Sequence, residues 1–341
     1  MSISIKEIAR RAGVSTATVS RAFSGKSYVK EDTLKLIMKI AEEAGYTPKV
    51  YNKKTVESVY RSTVGVILPY LNNNFYYEII TGIEDTLSEY DTDVLFCCTY
   101  NNPQKEIKYI DLFHHIKPTG LIIVPTSETH EVNKEYIRDL SSEMDIIILD
   151  RELKGENLDG VYMNNFASAY RGTKILIDEG HRDIAFLCGS MDSTSGAERL
   201  RGYRDALKES GIPYNSENVI YGNFDYQQAY EQTKEFMSKR QKVTALFSSS
   251  SSMSYGCMLA LAEKGIKIPE DISFLTYGSS DWKDKNISFL RYPGTEMGTE
   301  CAKLLLERMK SKDRRKSIPR KRSVFEVSIE LNGSEKFSQK M

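Results

Sequence analysis

Seven short apolar runs, each followed by a longer amphipathic stretch, constrain this chain more than any other feature. The runs are VGVIL (64–68), DVLFCC (93–98), GLIIV (120–124), DIIIL (145–149), IAFLC (184–188), TALF (244–247) and ISFL (272–275). Strands that are apolar throughout need cover on both faces, and alternation with helices is how a parallel sheet obtains it. The segments FYYEIITGIEDTLSEY, FASAYRGTKILIDEG, ERLRGYRDALKESG and EMGTECAKLLLERMK have the spacing of such helices. Roughly 270 residues is large for one sheet, so the pattern predicts two.

The first 48 residues follow a different period. Ile5, Ile8, Ala9 and Ala12 fall on one helical face and Gly13 stops it. Ser15 can cap a second helix, where Val19, Ala22 and Phe23 face one side before Gly25. A third carries Leu34, Ile37, Met38 and Ala41, with Gly45 and Pro48 beyond it. The first two helices are separated by a turn of about three residues containing glycine, the spacing of a helix-turn-helix.

Charge separates the two regions. Lys plus Arg and Asp plus Glu each total 47, yet residues 1–61 hold twelve basic against six acidic side chains, a net +6 that leaves −6 for the rest. A basic head suits a polyanion, because phosphates neutralised by Lys and Arg release counterions. Pattern and charge alone leave a structural or protein-binding bundle equally open.

Other chemistries find little support. The five cysteines (97, 98, 188, 257 and 301) are odd in number and lack CxxC spacing, so they read as reduced core thiols, Cys97-Cys98 included. His114 and His115 are adjacent and point apart, with no HExxH to join. GKS at 25–27 resembles the end of a phosphate loop, but Ser20 stands where that loop needs glycine. GxSxG and GxGxxG are absent. No enzyme, cofactor or metal site is expected. MSISIKEIARRAG has no apolar signal core and no stretch reaches membrane-span length, which predicts a cytoplasmic protein with no membrane partner.

Residue identities narrow the choice. IKEIARRAGVSTATVSRAFSG, with AGVS at 12–15, ATVSR at 17–21 and AEEAGYTP at 41–48, resembles the opening of the lactose-repressor (LacI/GalR) family. TVGVILPYLNNNFYYEIITGIED, GLIIVP, ILDRE, NNFASAYRGTKILIDEGHRDIAFLCGS, ERLRGYRDAL, IPEDIS and EMGTECAKLLLERM resemble its later blocks in order. The resemblance implies an all-α helix-turn-helix DNA-binding head at 1–48 and a hinge at 49–63. It implies an α/β body at 64–331, built like periplasmic binding proteins from two doubly wound parallel-sheet lobes. One lobe is expected at about 64–162 plus 293–321, the other at about 163–292 plus 322–331, with a tail at 332–341.

The implied function is a transcriptional regulator of the repressor type. It would be a homodimer, or a tetramer of paired dimers, binding double-stranded operator DNA under control of a sugar or sugar-derived effector. The other reading is a cytoplasmic ligand- or partner-binding module whose head serves assembly. The resemblance sends Thr16 to Phe23 into the major groove, with Thr16 and Ala17 at base-reading positions and Arg21 at a base edge. Arginine can give guanine two parallel hydrogen bonds, and the methyls of Thr16 and Ala17 suit a thymine methyl. Thr18, Ser20, Ser27 and Tyr28 offer hydroxyls to phosphates, with solvated surface as the alternative for Thr18 and Ser20. Ile5 and Ser15 complete the head's DNA-binding set. In the hinge, Lys49, Asn52, Lys53 and Lys54 suit phosphates. Thr55, beside Val56, stands where the family inserts a leucine wedge into the minor groove.

Ligands of open parallel sheets sit beyond the carboxyl ends of the strands. The resemblance puts an aromatic pair, Phe75 and Tyr76, there, with Asp150 and Arg199 exchanging hydrogen bonds with ligand hydroxyls and Phe224 as a further platform. Two positions depart from the family. Ser250 and Ser251, within the run Ser248–Ser252, replace an Asn-Asp pair, and Gly278 replaces a ligand-binding aspartate. The effector is therefore expected to differ from a simple neutral hexose: larger, anionic, or weakly sensed. The serine run itself reads as a strand-to-helix turn whose hydroxyls cap free amides, not as a linker.

Overall fold

A computed structural model describes residues 4–24, 29–44, 46, 63–71, 74–126, 131–239, 242–278, 286–310 and 319–336. The chain divides into two units, residues 1–62 and 63–341. In the first, α1 (Ile5–Ala12), α2 (Thr16–Ser24) and α3 (Glu31–Glu43) enclose Ile8, Val19, Ala22, Phe23, Ile37 and Ala41. The Ser4 hydroxyl accepts the Glu7 amide at the start of α1. Gly13 ends that helix at φ 66°, a left-handed conformation that costs glycine nothing.

The second unit holds two six-stranded sheets. The first contains β1 (Thr63–Leu68), β2 (Asp93–Cys98), β3 (Gly120–Ile123), β4 (Asp145–Leu149), β5 (Asp159–Met163) and β11 (Arg322–Phe325), ordered β11-β5-β4-β3-β1-β2 and parallel throughout. The second contains β6 (Ile184–Cys188), β7 (Val219–Tyr221), β8 (Ala245–Ser248), β9 (Ser273–Gly278), β10 (Ser288–Arg291) and β12 (Ser328–Glu330), ordered β12-β10-β9-β8-β6-β7. Only the β10–β12 pair is antiparallel.

Helices cover the faces, as parallel pairing requires. Around the first sheet are α4 (Asn74–Ser88), α5 (Pro103–Ile116), α6 (Glu131–Glu143) and α11 (Gly294–Lys310); around the second are α7 (Asn165–Asp178), α8 (Thr194–Glu209), α9 (Tyr226–Lys239) and α10 (Ser251–Glu263). Helices α4 and α11 touch backbone to backbone. A Cβ on Gly82 would lie 2.2 Å from the Thr295 carbonyl oxygen, and one on Gly298 would lie 2.1 Å from that of Ile79, so the pair can approach only as glycines. The chain crosses between lobes three times: after β5, after β10 and after β11.

Three expectations need correction. DVLFCC is not covered on both faces: it forms β2 at the sheet's edge, with Leu95 and Phe96 exposed. Residues 322–325 do not join the second lobe, because Arg322–Phe325 pairs with β5 in the first sheet and the crossover follows it. The expected tail is docked as far as residue 336. The Phe274 amide donates to the Ser334 carbonyl, the Ser334 hydroxyl donates to that of Phe274, and the Glu335 carboxylate accepts from Gly333 N and Ser288 Oγ.

Candidate functional site

On the head, Thr16, Ala17, Ser20 and Arg21 are exposed along α2. Ser15 caps that helix: its hydroxyl accepts the Thr18 amide at 3.1 Å and lies 2.9 Å from the Thr18 hydroxyl, so these two side chains engage each other. The Arg21 Nε donates to the Ala17 carbonyl at 3.2 Å, which draws the guanidinium along the helix. Ile5 is half-buried against the head's core and not displayed beside them. Ser27, Tyr28, Lys49, Asn52, Lys53, Lys54 and Thr55 lie outside the described residues. Glu7 takes up part of the basic charge: hydrogen bonds from Arg10 and Arg11 hold its carboxyl at about 2.

In the body, each sheet reverses direction of winding at a switch point, β1/β3 in one and β6/β8 in the other. Such points leave a crevice beyond the strand ends. Tyr70, Phe75 and Tyr76 follow β1, Asp150 and Arg151 follow β4, Ser195 and Arg199 follow β6, Phe224 follows β7, Ser250 follows β8 and Tyr292 follows β10. These ten line one cleft, which encloses about 460 Å³ when the open space at its mouth is counted.

The backbone sets two of these side chains in an unusual way. Asp150 has φ 63°, in a three-residue turn closed by the Arg151 amide on the Leu149 carbonyl at 2.7 Å. Phe224 has φ 61°, and its ring lies over Gly189, where a Cβ would come within 2.0 Å of it. Both residues thus hold conformations rare outside glycine, at the cavity wall.

Asp150 accepts the Tyr76 hydroxyl at 2.8 Å. Burial first, then the neighbouring Asp150 charge, pushes the Tyr76 phenol well above its usual value, so it stays a donor. Arg199 is 4% exposed; its Nε donates to Asn165 Oδ1 at 2.9 Å and its Nη1 to the Ser249 carbonyl. The guanidinium sits 4.2 Å from the Tyr277 ring centre, with Phe224 and Tyr292 at 5.8 and 6.0 Å. Phe75 packs on Tyr292 at 4.8 Å, so aromatic surface is continuous from one lobe to the other.

The structure therefore brings together Phe75, Tyr76, Asp150, Arg199, Phe224 and Ser250 of the expected cleft residues. Gly278 is buried at the end of β9 but outside the lining, its carbonyl accepting the Tyr292 amide at 3.1 Å. Tyr70, Arg151, Ser195 and Tyr292 complete the lining without having been expected. The serine run ends β8 and starts α10: Ser250 is the cap, accepting the Met253 amide, and Ser248 to Ser251 are all buried. The arrangement offers donors, a single carboxylate and ring faces, which suits binding. Burial pushes the Cys188 thiol up to about 12, leaving it a packed thiol at neutral pH. Among the described residues no three His, Cys, Asp or Glu side chains are grouped to hold a metal ion, and no helix is long and apolar enough to cross a membrane.

Comparison with known proteins gives consistent results for both units. Residues 4–49 match the family of bacterial regulatory proteins, lacI family, and residues 61–312 match the family of periplasmic binding proteins and sugar binding domain of LacI family. The HTH-type transcriptional repressor PurR of Vibrio atlanticus (strain LGP32) is 30% identical over 317 residues, covering 92% of this chain and 94% of that protein. Among solved structures, the transcriptional regulator CelR-cellobiose complex superimposes with a TM-score of 0.72 at 24% identity, over 97% of this chain and 99% of that one. The lac repressor dimer bound to operator and the anti-inducer ONPF gives 0.72 at 18% identity, over 98% and 100%. At these identities the two structures speak for the fold. The proteins matched are regulators rather than enzymes.

Proposed function

The chain belongs to the LacI family of bacterial regulatory proteins, DNA-binding transcriptional regulators with an effector-binding domain, and from that premise we propose how this one works. It acts as a homodimer on a pseudo-palindromic operator. A sugar or sugar derivative binds in the cleft lined by Phe75, Tyr76, Asp150, Arg199, Phe224 and Ser250. The observation that carries this reading is the cleft itself: six residues expected from the sequence to touch an effector, drawn from both lobes, line one cavity.

The chemistry follows from the parts. Thr16 and Ala17 read base methyls, Arg21 reads a guanine edge, and Ser15, Thr18 and Ser20 lie where phosphates would fix register. A two-fold dimer presents two α2 helices to two half-sites. A ligand that contacts both lobes favours one relation between them, and the operator favours one presentation of the heads. The two equilibria are linked, so effector and operator change each other's affinity by the same factor. The proposed domains are a head to residue 48 and a hinge expected over 49–63 that gives way to the body at Thr63, where β1 begins.

The test is fluorescence anisotropy with fragments of the DNA upstream of the gene encoding this chain. At physiological salt one fragment should bind about 10³-fold or more tighter than random duplex, with affinity falling steeply as salt rises. A ligand of the cleft should then shift that affinity by about 5- to 150-fold. Equal binding to every fragment would leave the head an assembly device rather than an operator reader.

A further inference from the structure

We propose, resting on the effector reading above, that the cleft is built for a ring-shaped ligand carrying an acid group, a carboxylate or a phosphate. Two guanidiniums line the cavity, Arg151 and Arg199, against one carboxylate, Asp150. Each is buried, 6% and 4% exposed. Among the described residues, the hydrogen-bond acceptors of both are neutral. Arg199 is held by the Asn165 amide oxygen and the Ser249 carbonyl. The Arg151 Nη1 donates to Asn101 Oδ1 at 2.8 Å and to the carbonyls of Pro125 and Thr126 at 3.1 Å, and its Nε has no acceptor. A cation taken out of water needs an opposite charge or a full set of strong acceptors, and among the described residues neither guanidinium hydrogen-bonds a carboxylate: Arg199 has dipoles and ring faces, and Arg151 has dipoles with the Glu106 charge nearby.

Among the described residues, no nearby acid gives either guanidinium a direct carboxylate hydrogen bond. Asp150 already receives the Tyr76 hydroxyl. Glu106, fully buried near Arg151, has its carboxylate oxygens taken by the Thr126 amide and the Asn133 side chain, and burial raises its pKa against the opposing pull of those bonds and of the Arg151 charge. Gly278 brings no side chain. Partial charges add to the excess. Helices α4, α8 and α10 all open toward the cavity, contributing Phe75 and Tyr76, Ser195, and the cap residue Ser250 from their first turns. Helix starts carry positive partial charge and unpaired amides that favour an anion. Phe75, Tyr76, Phe224, Tyr292 and Tyr70 provide flat faces for the ligand's ring.

Matched pairs test this on the full-length protein at constant ionic strength. Glucose is compared with glucose 6-phosphate and with glucuronate, and ribose with ribose 5-phosphate, by thermal shift and calorimetry. At least one acid member should bind ten-fold or more tighter than its neutral partner, and the phosphate and uronate arms distinguish the two acid groups. Arg151→Gln should reduce that preference to less than three-fold. Should that variant fail to fold, Ser250→Asp serves instead. Aspartate also caps helices, and its charge should lower the acid member's affinity at least ten-fold more than it lowers that of the neutral one. Equal binding within each pair, binding of neutral members alone, or binding of none of these compounds overturns the acid assignment. The effector reading fails separately, if a ligand that binds the cleft leaves operator affinity unchanged.

Discussion

Arg21 shows how one side chain's surroundings decide its role. It is exposed on α2, and its hydrogen bond to the Ala17 carbonyl holds the guanidinium near the residues proposed to read bases. Arg21→Ala should cost about 1–3 kcal/mol of operator affinity and relax the preference at one base pair. Anisotropy on the operator and its single-base variants checks both; an equal loss on every sequence would make Arg21 a phosphate contact. The cleft was only partly legible at this level. Phe75, Tyr76, Asp150, Arg199 and Phe224 stand in recognisable blocks after strands, so their convergence could be anticipated. Tyr292 could not, because it lies on a crossover after a short strand that no apolar run announces. Nor do residue types reveal that Asp150 and Phe224 hold positive φ, since the surrounding structure imposes that geometry.

The inner strands β1, β3, β4, β6, β8 and β9 and the edge strand β2 were legible as apolar runs, while β5, β7, β10, β11 and β12 were not among the seven. Those five are short or hold polar residues, and what makes them strands is their neighbours. The C-terminal segment was missed for the same reason: NGSEK reads as a polar tail, yet its polar groups are satisfied inside the second lobe. There His181 is fully buried, with Nδ1 2.9 Å from the Thr244 hydroxyl and Nε2 3.2 Å from the Glu335 carbonyl. Burial lowers the His181 pKa, partly opposed by the hydrogen bond to Glu335. The unfolded chain therefore binds the proton more readily than the folded one. The associated stability is fully present above the unfolded histidine value of about 6.5 and is lost as pH falls toward the lower folded value. The urea midpoint should drop between pH 7.5 and 5.5, and His181→Asn should drop less over that interval. Parallel slopes for the two proteins would assign the pH dependence to other groups.

Assembly follows from what the first sheet leaves uncovered. β2 is an edge strand with no strand beyond it among the described residues, and it displays Leu95 at 41% and Phe96 at 37% exposure where an inner strand would be sealed. Tyr77 on the adjacent α4 and Tyr100 just after β2 are more exposed still. An apolar edge of this kind invites pairing with another chain unless it is blunted. A two-fold partner offers a closed solution, since the same patch meets itself and no further edge remains. If a partner packs here, the DVLFCC run is apolar for a contact between chains rather than for burial within one chain. Leu95→Glu combined with Phe96→Glu should leave each chain folded, because both side chains are already solvent-exposed. The variant should sediment as a monomer where the parent sediments as a dimer. Operator affinity should fall at least ten-fold with it, since one head then meets one half-site without its linked partner. A variant that remains dimeric with full operator affinity would move the interface to another face.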